Sequence, residues 1–136
     1  MAEVLGFNHL SLSVTDLGAS RQWYQQVLGL DLVAEMERDT FSRARLRSPN
    51  GAVTLTLTCH VQRESESFSE RRPGLDHLAF SVGSVEDVAI LKDRFTSLGV
   101  RHSEVSSRSS GTAAITLRDP DNIQLEVFGS SPEIDS

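Results

Sequence analysis

The sequence predicts an α+β fold of two tandem βαβββ modules, which form a cupped, mostly antiparallel sheet with the helices on its outer face. Three observations support this prediction. One alternating strand pattern occurs twice, and each copy is followed by the same order of a helix and three strands. A charged, serine-rich segment separates the two copies.

The repeated pattern is an alternating stretch of eight residues, found at 7–14 and again at 75–82. Alternation of polar and apolar residues over this length is typical of a strand that buries one face. His9 and His77 occupy equivalent positions on the less apolar faces of the two copies. Two equivalent histidines make a metal site the first hypothesis to test.

The first module continues from this strand with a helix and three more strands. The predicted ranges are 6–14 for the first strand, 17–28 for the helix, and 30–37, 41–47 and 52–59 for the following strands. Thr15 or Asp16 is suited to cap the start of the helix, and Gly29 is suited to the left-handed conformation that ends it.

The second module repeats this order after a connecting segment. Residues 61–74 are charged, rich in serine and end in Pro-Gly, which predicts an exposed connection between the modules. Ser84, with Asp87 three residues later, predicts the start of a helix that ends at Gly99. The predicted strands that follow are 100–106, 111–118 and 123–128.

Length and composition indicate one globular domain, since the chain has 136 residues, of which 38% are apolar and 24% charged. Within it, module one is placed at about 5–60, the connection at about 61–74 and module two at about 75–128. A loose tail is expected at 129–136.

Composition also limits the binding partners and the cellular compartment that we expect for the protein. The sequence has no stretch of about 18 apolar residues, so we expect no membrane span, and its first residues lack the pattern of a secretory signal. Cys59 is the only cysteine, which excludes an internal disulfide and favours the cytoplasm. The net charge of −6 argues against nucleic acid as a partner and favours cationic ligands.

The polar faces of the predicted strands hold the candidate functional groups. They carry His9, His77, Gln124 and Glu126, whereas the alternating apolar residues of the same strands are expected to face the helices. A concave sheet surface that holds these polar groups is therefore the predicted site.

These features resemble the vicinal oxygen chelate superfamily over about residues 5–128. The similarity lies in the doubled module, the Asn-His-Leu and Asp-His-Leu strands, and the turn Asp-Pro-Asp-Asn at 119–122 that is followed by Glu126. The superfamily includes glyoxalase I, fosfomycin-resistance thiol transferases, extradiol dioxygenases, methylmalonyl-CoA epimerase and bleomycin-resistance binding proteins.

The resemblance implies that His9, His77 and Glu126 hold a divalent metal ion, with Glu126 also as a catalytic residue. It leaves Mn, Fe, Zn, Ni and Co open as the metal. It also implies a homodimer, because the ligand that matches His9 often comes from a partner chain in the superfamily. Pairing of the two modules within one chain is the alternative. Two imidazoles and one carboxylate leave coordination positions open for substrate oxygens, where the metal acts as a Lewis acid.

The sequence departs from glyoxalase I at the fourth ligand, a carboxylate on the last strand of the first module. The matching position is Leu55 when counted from the preceding turn and Thr56 when judged by alternation, and neither residue is acidic. A set of three metal ligands is closer to the pattern of the fosfomycin-resistance enzymes and the extradiol dioxygenases. However, 112–116 lacks the tyrosine of the former, and His60 is poorly placed as the acid-base histidine of the latter.

Four further residues are candidates for binding a substrate. Arg43 and Arg45 alternate on one strand face and would hold a phosphate, carboxylate or phosphonate by forked hydrogen bonds if that face lines the site. The alternative is a solvated strand edge whose charges discourage aggregation. Thr56 and Gln124 are predicted to lie on the same polar faces.

The leading hypothesis is a divalent-metal-dependent, glyoxalase-like enzyme that acts on a small oxygen-chelating substrate as a lyase, isomerase or thiol transferase. One alternative is a non-catalytic drug-binding protein of the bleomycin-resistance type. The other is a single-domain extradiol-type dioxygenase, which would require a redox metal and consume oxygen.

Overall fold

A computed structural model of the protein describes residues 1–131, which contain two α-helices and eight β-strands. In chain order they are β1 Leu10–Ser13, α1 Leu17–Leu28, β2 Asp31–Glu37, β3 Phe41–Arg47, β4 Thr54–His60, β5 Leu78–Ser81, α2 Val85–Ser97, β6 Ser106–Arg108, β7 Thr112–Arg118 and β8 Gln124–Ser130. The predicted α+β class and the tandem βαβββ modules are confirmed. The chain divides into two compact units, Met1–Glu66 and Ser67–Ser136.

The first unit contains a four-stranded sheet in the order β1-β4-β3-β2. β1 is parallel to β4, and the other two strand pairs are antiparallel. Parallel neighbours need a long connection, which α1 and the two strands after it supply. The face that α1 covers is the core of this unit, which contains Leu12, Tyr24, Val27, Ala44, Leu46, Leu55 and Leu57.

The second unit repeats this topology, with a four-stranded sheet in the order β5-β8-β7-β6. β5 is parallel to β8, and the remaining pairs are antiparallel. Its core contains Val88, Phe95, Ala113, Ile115, Leu117, Leu125 and Val127. Each sheet thus has one apolar face covered by a helix and one face that carries polar residues.

Both helices begin at the predicted caps. The Asp16 carboxylate accepts from the backbone N–H of Ala19 at 3.0 Å, and the Ser84 hydroxyl accepts from that of Asp87 at 3.2 Å. These bonds satisfy N–H groups that have no partner inside the helix. α1 ends at Gly29, which has the predicted left-handed conformation with φ of 67°.

Within residues 100–106, the predicted strand is wrong. β6 starts only at Ser106, and His102 forms an isolated bridge to Leu117. The Ser103 hydroxyl accepts from the backbone N–H of Thr116 at 3.0 Å. A side chain that takes the place of a backbone acceptor interrupts the ladder, which explains the missing strand.

The last strand is longer than predicted, since β8 continues to Ser130. Gly129 lies where β8 meets the start of α2, and a Cβ atom there would be 2.3 Å from the Ser84 carbonyl oxygen. The rest of the predicted tail, 132–136, lies outside the described residues. Within residues 1–131, neither helix has the length and apolar content needed to cross a membrane.

Candidate functional site

The two sheets show which residues of the modules are equivalent. Ser11 of β1 pairs with Thr56 of β4, and Ala79 of β5 pairs with Glu126 of β8. Ser11 and Ala79 each lie two residues after the repeated histidine. Thr56 is therefore the counterpart of Glu126, as alternation indicates, and the count from the turn that selects Leu55 is wrong.

His9 lies immediately before β1 and is exposed. Its Nδ1 atom is 2.7 Å from the Oδ1 atom of Asn8. An amide oxygen can only accept, so Nδ1 carries the proton and the lone pair of Nε2 is left for a ligand. Histidines that bind metals commonly have this arrangement.

His77 lies immediately before β5 and has the same local arrangement. Its Nδ1 atom is 2.8 Å from the Oδ1 atom of Asp76. The carboxylate again assigns the proton to Nδ1 and leaves Nε2 as the free donor atom for a metal. The Asn-His and Asp-His dipeptides are present in the sequence, but strand alternation does not reveal that the first residue contacts the histidine ring.

Glu126 is half-buried on β8, on the face opposite the core residues Leu125 and Val127. Its neighbours across the sheet are Ala79 and Thr116. His77 is two residues before Ala79, and strand alternation predicts that its side chain is on the same face as Glu126. The second unit thus carries two of the three predicted ligands.

The third predicted ligand, His9, belongs to the first unit. Among residues 1–131, no three His, Cys, Asp or Glu side chains lie close enough together to hold a metal ion. The predicted ligands are divided between the two units, with His9 in the first and His77 and Glu126 in the second.

The polar face of the first sheet carries the other predicted contacts. Arg43 lies over the Phe41 ring, 4.5 Å from its centroid, and its Nε donates to the Thr58 hydroxyl at 2.9 Å. Arg45 is exposed and pairs with Thr56, which is buried with its hydroxyl 3.5 Å from the Leu10 carbonyl oxygen. The Arg45 guanidinium is therefore the group on this face best able to meet an anion.

Gln124 is predicted to bind substrate. In the structure, both the nitrogen and the oxygen of its side-chain amide form hydrogen bonds within the protein. Its Nε2 is 3.3 Å from both the carbonyl oxygen and the Oδ1 atom of Asp76. Its Oε1 accepts from Arg118 at 3.3 Å. The guanidinium of Arg118 also donates to both carboxylate oxygens of Glu70, each at 3.0 Å.

The ion pair between Glu70 and Arg118 shifts the pKa of both residues. Its hydrogen bond lowers the pKa of the Glu70 carboxyl from 4.5 to about 2 and raises the pKa of the Arg118 guanidinium. Glu70 belongs to the segment that the sequence predicted only as an exposed connection. No local pattern marks a contact between residues 48 positions apart.

A cleft of about 630 Å³ opens on this part of the second unit. Its walls come from the 68–71 and 101–103 segments, and its polar groups include Thr116, Arg118 and Gln124. A second cleft, of about 470 Å³, lies in the first unit beside Met36, Arg43 and Cys59. Each cleft includes at least one residue of the polar face of its sheet.

Comparisons with known proteins agree with this architecture. The family model described as Glyoxalase/Bleomycin resistance protein/Dioxygenase superfamily matches residues 6–127. The crystal structure of a glyoxylase/bleomycin resistance protein/dioxygenase domain from Frankia sp. EAN1pec is 32% identical, with a TM-score of 0.88 over 97% of this chain and 96% of that one. No protein of curated function matches the sequence.

Two structures of the fosfomycin resistance protein FosX from Listeria monocytogenes share the fold. The complex with Mn(II) and sulfate is 19% identical, with a TM-score of 0.72 over 95% of each chain. A single-residue variant with Mn(II) and 1S,2S-dihydroxypropylphosphonic acid is 20% identical, with a TM-score of 0.72 over 95% of this chain and 93% of that one.

Proposed function

Because the chain belongs to the glyoxalase/bleomycin resistance protein/dioxygenase superfamily, we propose that it is a divalent-metal-dependent enzyme acting on a small oxygen-chelating substrate. The proposed metal ligands are His9, His77 and Glu126. One observation carries the proposal: an acceptor on the preceding residue holds Nδ1 of each histidine, which leaves both Nε2 atoms free.

The chemistry of the donor set fits a divalent ion. Two neutral imidazoles and one carboxylate suit Mn, Fe, Co, Ni and Zn, and FosX, which shares the fold, was crystallised with Mn(II). When bound, such an ion supplies Lewis-acid activation of substrate oxygens. The protein residues hold the ion, orient the two imidazoles and bind the rest of the substrate.

We assign recognition of an anionic part of the substrate to the polar face of the first sheet. The exposed Arg45 has free guanidinium donors that can grip a phosphate, phosphonate or carboxylate at two oxygens. Arg43 donates a hydrogen bond from Nε to the Thr58 hydroxyl, and we assign its Nη atoms to the same anion. The FosX complex with a phosphonic acid supports this class of ligand.

The protein is proposed to act as a homodimer. Superfamily members commonly dimerise. In addition, Val4, Leu5 and Phe7, just before β1, are residues that are 94% to 102% exposed. Adjacent apolar residues this exposed are typical of surfaces that another chain covers.

The test is the metal content of the purified protein and two variants. We expect wild-type protein to bind Mn²⁺ in stoichiometric amount by elemental analysis, His77→Ala to lose it, and His60→Ala to keep it. His60 is a suitable control because it is an exposed histidine at the end of β4 outside the proposed ligand set.

A wild-type protein that binds none of the divalent metals offered would contradict the enzyme proposal. The drug-binding alternative of the bleomycin-resistance type would then take its place, and the net charge of −6 would favour cationic drugs as ligands. If the bound metal is iron or manganese, oxygen consumption with catechol substrates decides between the dioxygenase alternative and Lewis-acid chemistry.

A further inference from the structure

The backbone hydrogen bonds of β5 do not fix the orientation of the His77 ring, so other contacts must do so. β5 begins only at Leu78, so the backbone ladder does not include His77 or Asp76. The Asp76 side chain is 68% exposed, and an exposed carboxylate that is free to rotate would not fix an imidazole ring. The residues that hold Asp76 therefore decide how well His77 is oriented.

Gln124 holds Asp76 at two points. Its Nε2 group approaches both the carbonyl oxygen and the carboxylate of Asp76 at 3.3 Å. Its Oε1 accepts from Arg118. Because Asp76 offers only acceptors and Arg118 only donors, one orientation of the amide satisfies both neighbours, so Gln124 is itself fixed.

Arg118 is fixed by a bidentate ion pair. Glu70 accepts from Nη1 and Nη2 at 3.0 Å each, an arrangement that sets the plane of the guanidinium. Glu70 lies on an anchored segment, because the Phe68 backbone N–H donates to Asp121 and the Asn122 side chain donates to the Phe68 carbonyl oxygen, both at 3.1 Å.

These contacts form one continuous chain, Glu70–Arg118–Gln124–Asp76–His77, which we call the second-unit relay. We propose that Gln124, Arg118 and Glu70 are positioning residues that hold the His77 imidazole, through Asp76, with Nε2 directed to the metal. The proposal rests on the function proposed above. It also gives Gln124 a structural task in place of a contact with substrate.

The first unit supplies an internal control. The strand registers make Arg47 and Thr54 the counterparts of Arg118 and Gln124. Arg47 Nε lies 3.5 Å from the Thr54 hydroxyl, and threonine is too short to continue the chain of contacts as Gln124 does. Among residues 1–131, only the second unit therefore connects this arginine to the repeated histidine.

The first experiment determines the tautomer of each histidine ring in the metal-free protein. Imidazole ¹⁵N NMR distinguishes an Nδ1–H from an Nε2–H tautomer for each histidine. We expect His77 to be an Nδ1–H tautomer in the wild type and to become a mixture in Gln124→Leu and Arg118→Met. His9 in the same spectra should not change, and neither histidine should change in Arg47→Met.

The second experiment measures Mn²⁺ affinity by titration in the same proteins. We expect a loss of about 10- to 100-fold in Gln124→Leu and Arg118→Met, as for other residues that orient metal ligands, and no change in Arg47→Met. Gln124→Glu keeps the acceptor for Arg118 but loses the donor to Asp76, so it should weaken binding while preserving the fold.

The outcomes separate the two proposals. A wild-type protein that does not bind Mn²⁺ or any other divalent metal overturns the proposed function. The relay is overturned if Gln124→Leu and Gln124→Glu bind Mn²⁺ as tightly as wild type and the His77 tautomer does not change. In that case the proposed function still stands.

Discussion

The residue before each repeated histidine has a part in the proposed site that differs between the two modules. Asn8 offers His9 a neutral amide oxygen, whereas Asp76 offers His77 a carboxylate. A negatively charged partner close to a bound cation stabilises the complex more than a neutral amide does. His77 is therefore expected to be the stronger of the two ligands.

This difference predicts unequal effects of removing the two partners. Asp76→Ala should weaken Mn²⁺ binding by about 10- to 100-fold, and Asn8→Ala should weaken it less. Calorimetric titration of both variants against wild type measures the effect. Equal losses would show that the charge of Asp76 contributes nothing.

The Glu70–Arg118 pair predicts a pH-dependent contribution to stability. The pKa of Glu70 is about 2 in the folded protein against 4.5 ordinarily, so the folded state favours the ionised form. The contribution is complete above about pH 4.5 and is lost as the pH falls towards about 2.

The comparison of wild type with Glu70→Gln tests this expectation. The variant should have a lower urea midpoint near neutral pH, and the difference should disappear as the pH falls towards about 2. Glu64→Gln, an exposed position in the same connecting segment, should match wild type throughout. A Glu70→Gln difference that persists at the lowest pH would show that packing, not charge, stabilises this contact.

Gly129 of β8 lies directly against the start of α2. A Cβ atom on Gly129 would lie 2.3 Å from the Ser84 carbonyl oxygen and 2.8 Å from Val88 Cγ2. The Ser84 carbonyl belongs to the backbone of the α2 cap, so it cannot move without displacing the start of the helix.

Gly129→Ala should therefore destabilise the protein by about 1–3 kcal/mol through overpacking. Gly18→Ala is the matched control, because its new Cβ atom would be 3.7 Å from the nearest neighbouring atom. Gly18 is in α1, where alanine is preferred, so that change should be neutral or stabilising by up to about 1 kcal/mol. Denaturant unfolding gives both values, and a Gly129→Ala protein as stable as wild type would contradict the steric argument.

The elements that the sequence predicted best have strong local signals. α1 and β3 have the predicted bounds because a cap at Asp16, a left-handed Gly29 and clear alternation define them locally. The 100–106 strand failed because Ser103 replaces a backbone acceptor, which alternation does not reveal.

The candidate site was predictable only in part, for a similar reason. Alternation identified the polar faces, and the observed register decided between Leu55 and Thr56. The contact of Glu70 with Arg118 joins segments far apart in sequence, so no local pattern signals it.

For the whole molecule, the proposed homodimer makes a prediction about how the metal site is shared. His9→Ala and His77→Ala should each abolish metal binding. If His9 serves the site of the other chain, a mixed dimer of the two variants keeps one intact site and recovers about half of the wild-type metal content.

Co-expression with two different affinity tags isolates this mixed dimer for elemental analysis. Ligands that all come from one chain would leave the mixed dimer without metal. Monomeric protein at all concentrations in analytical ultracentrifugation would contradict the homodimer itself.

The equivalence of Thr56 and Glu126 has a consequence for changing the specificity of the protein. The two units share one topology but carry different residues at matching positions. One unit holds a carboxylate and the residues that support it, whereas the other holds a hydroxyl and a row of arginines. Exchanging residues between matched positions is therefore a rational route to altered specificity, because the shared topology accommodates both versions.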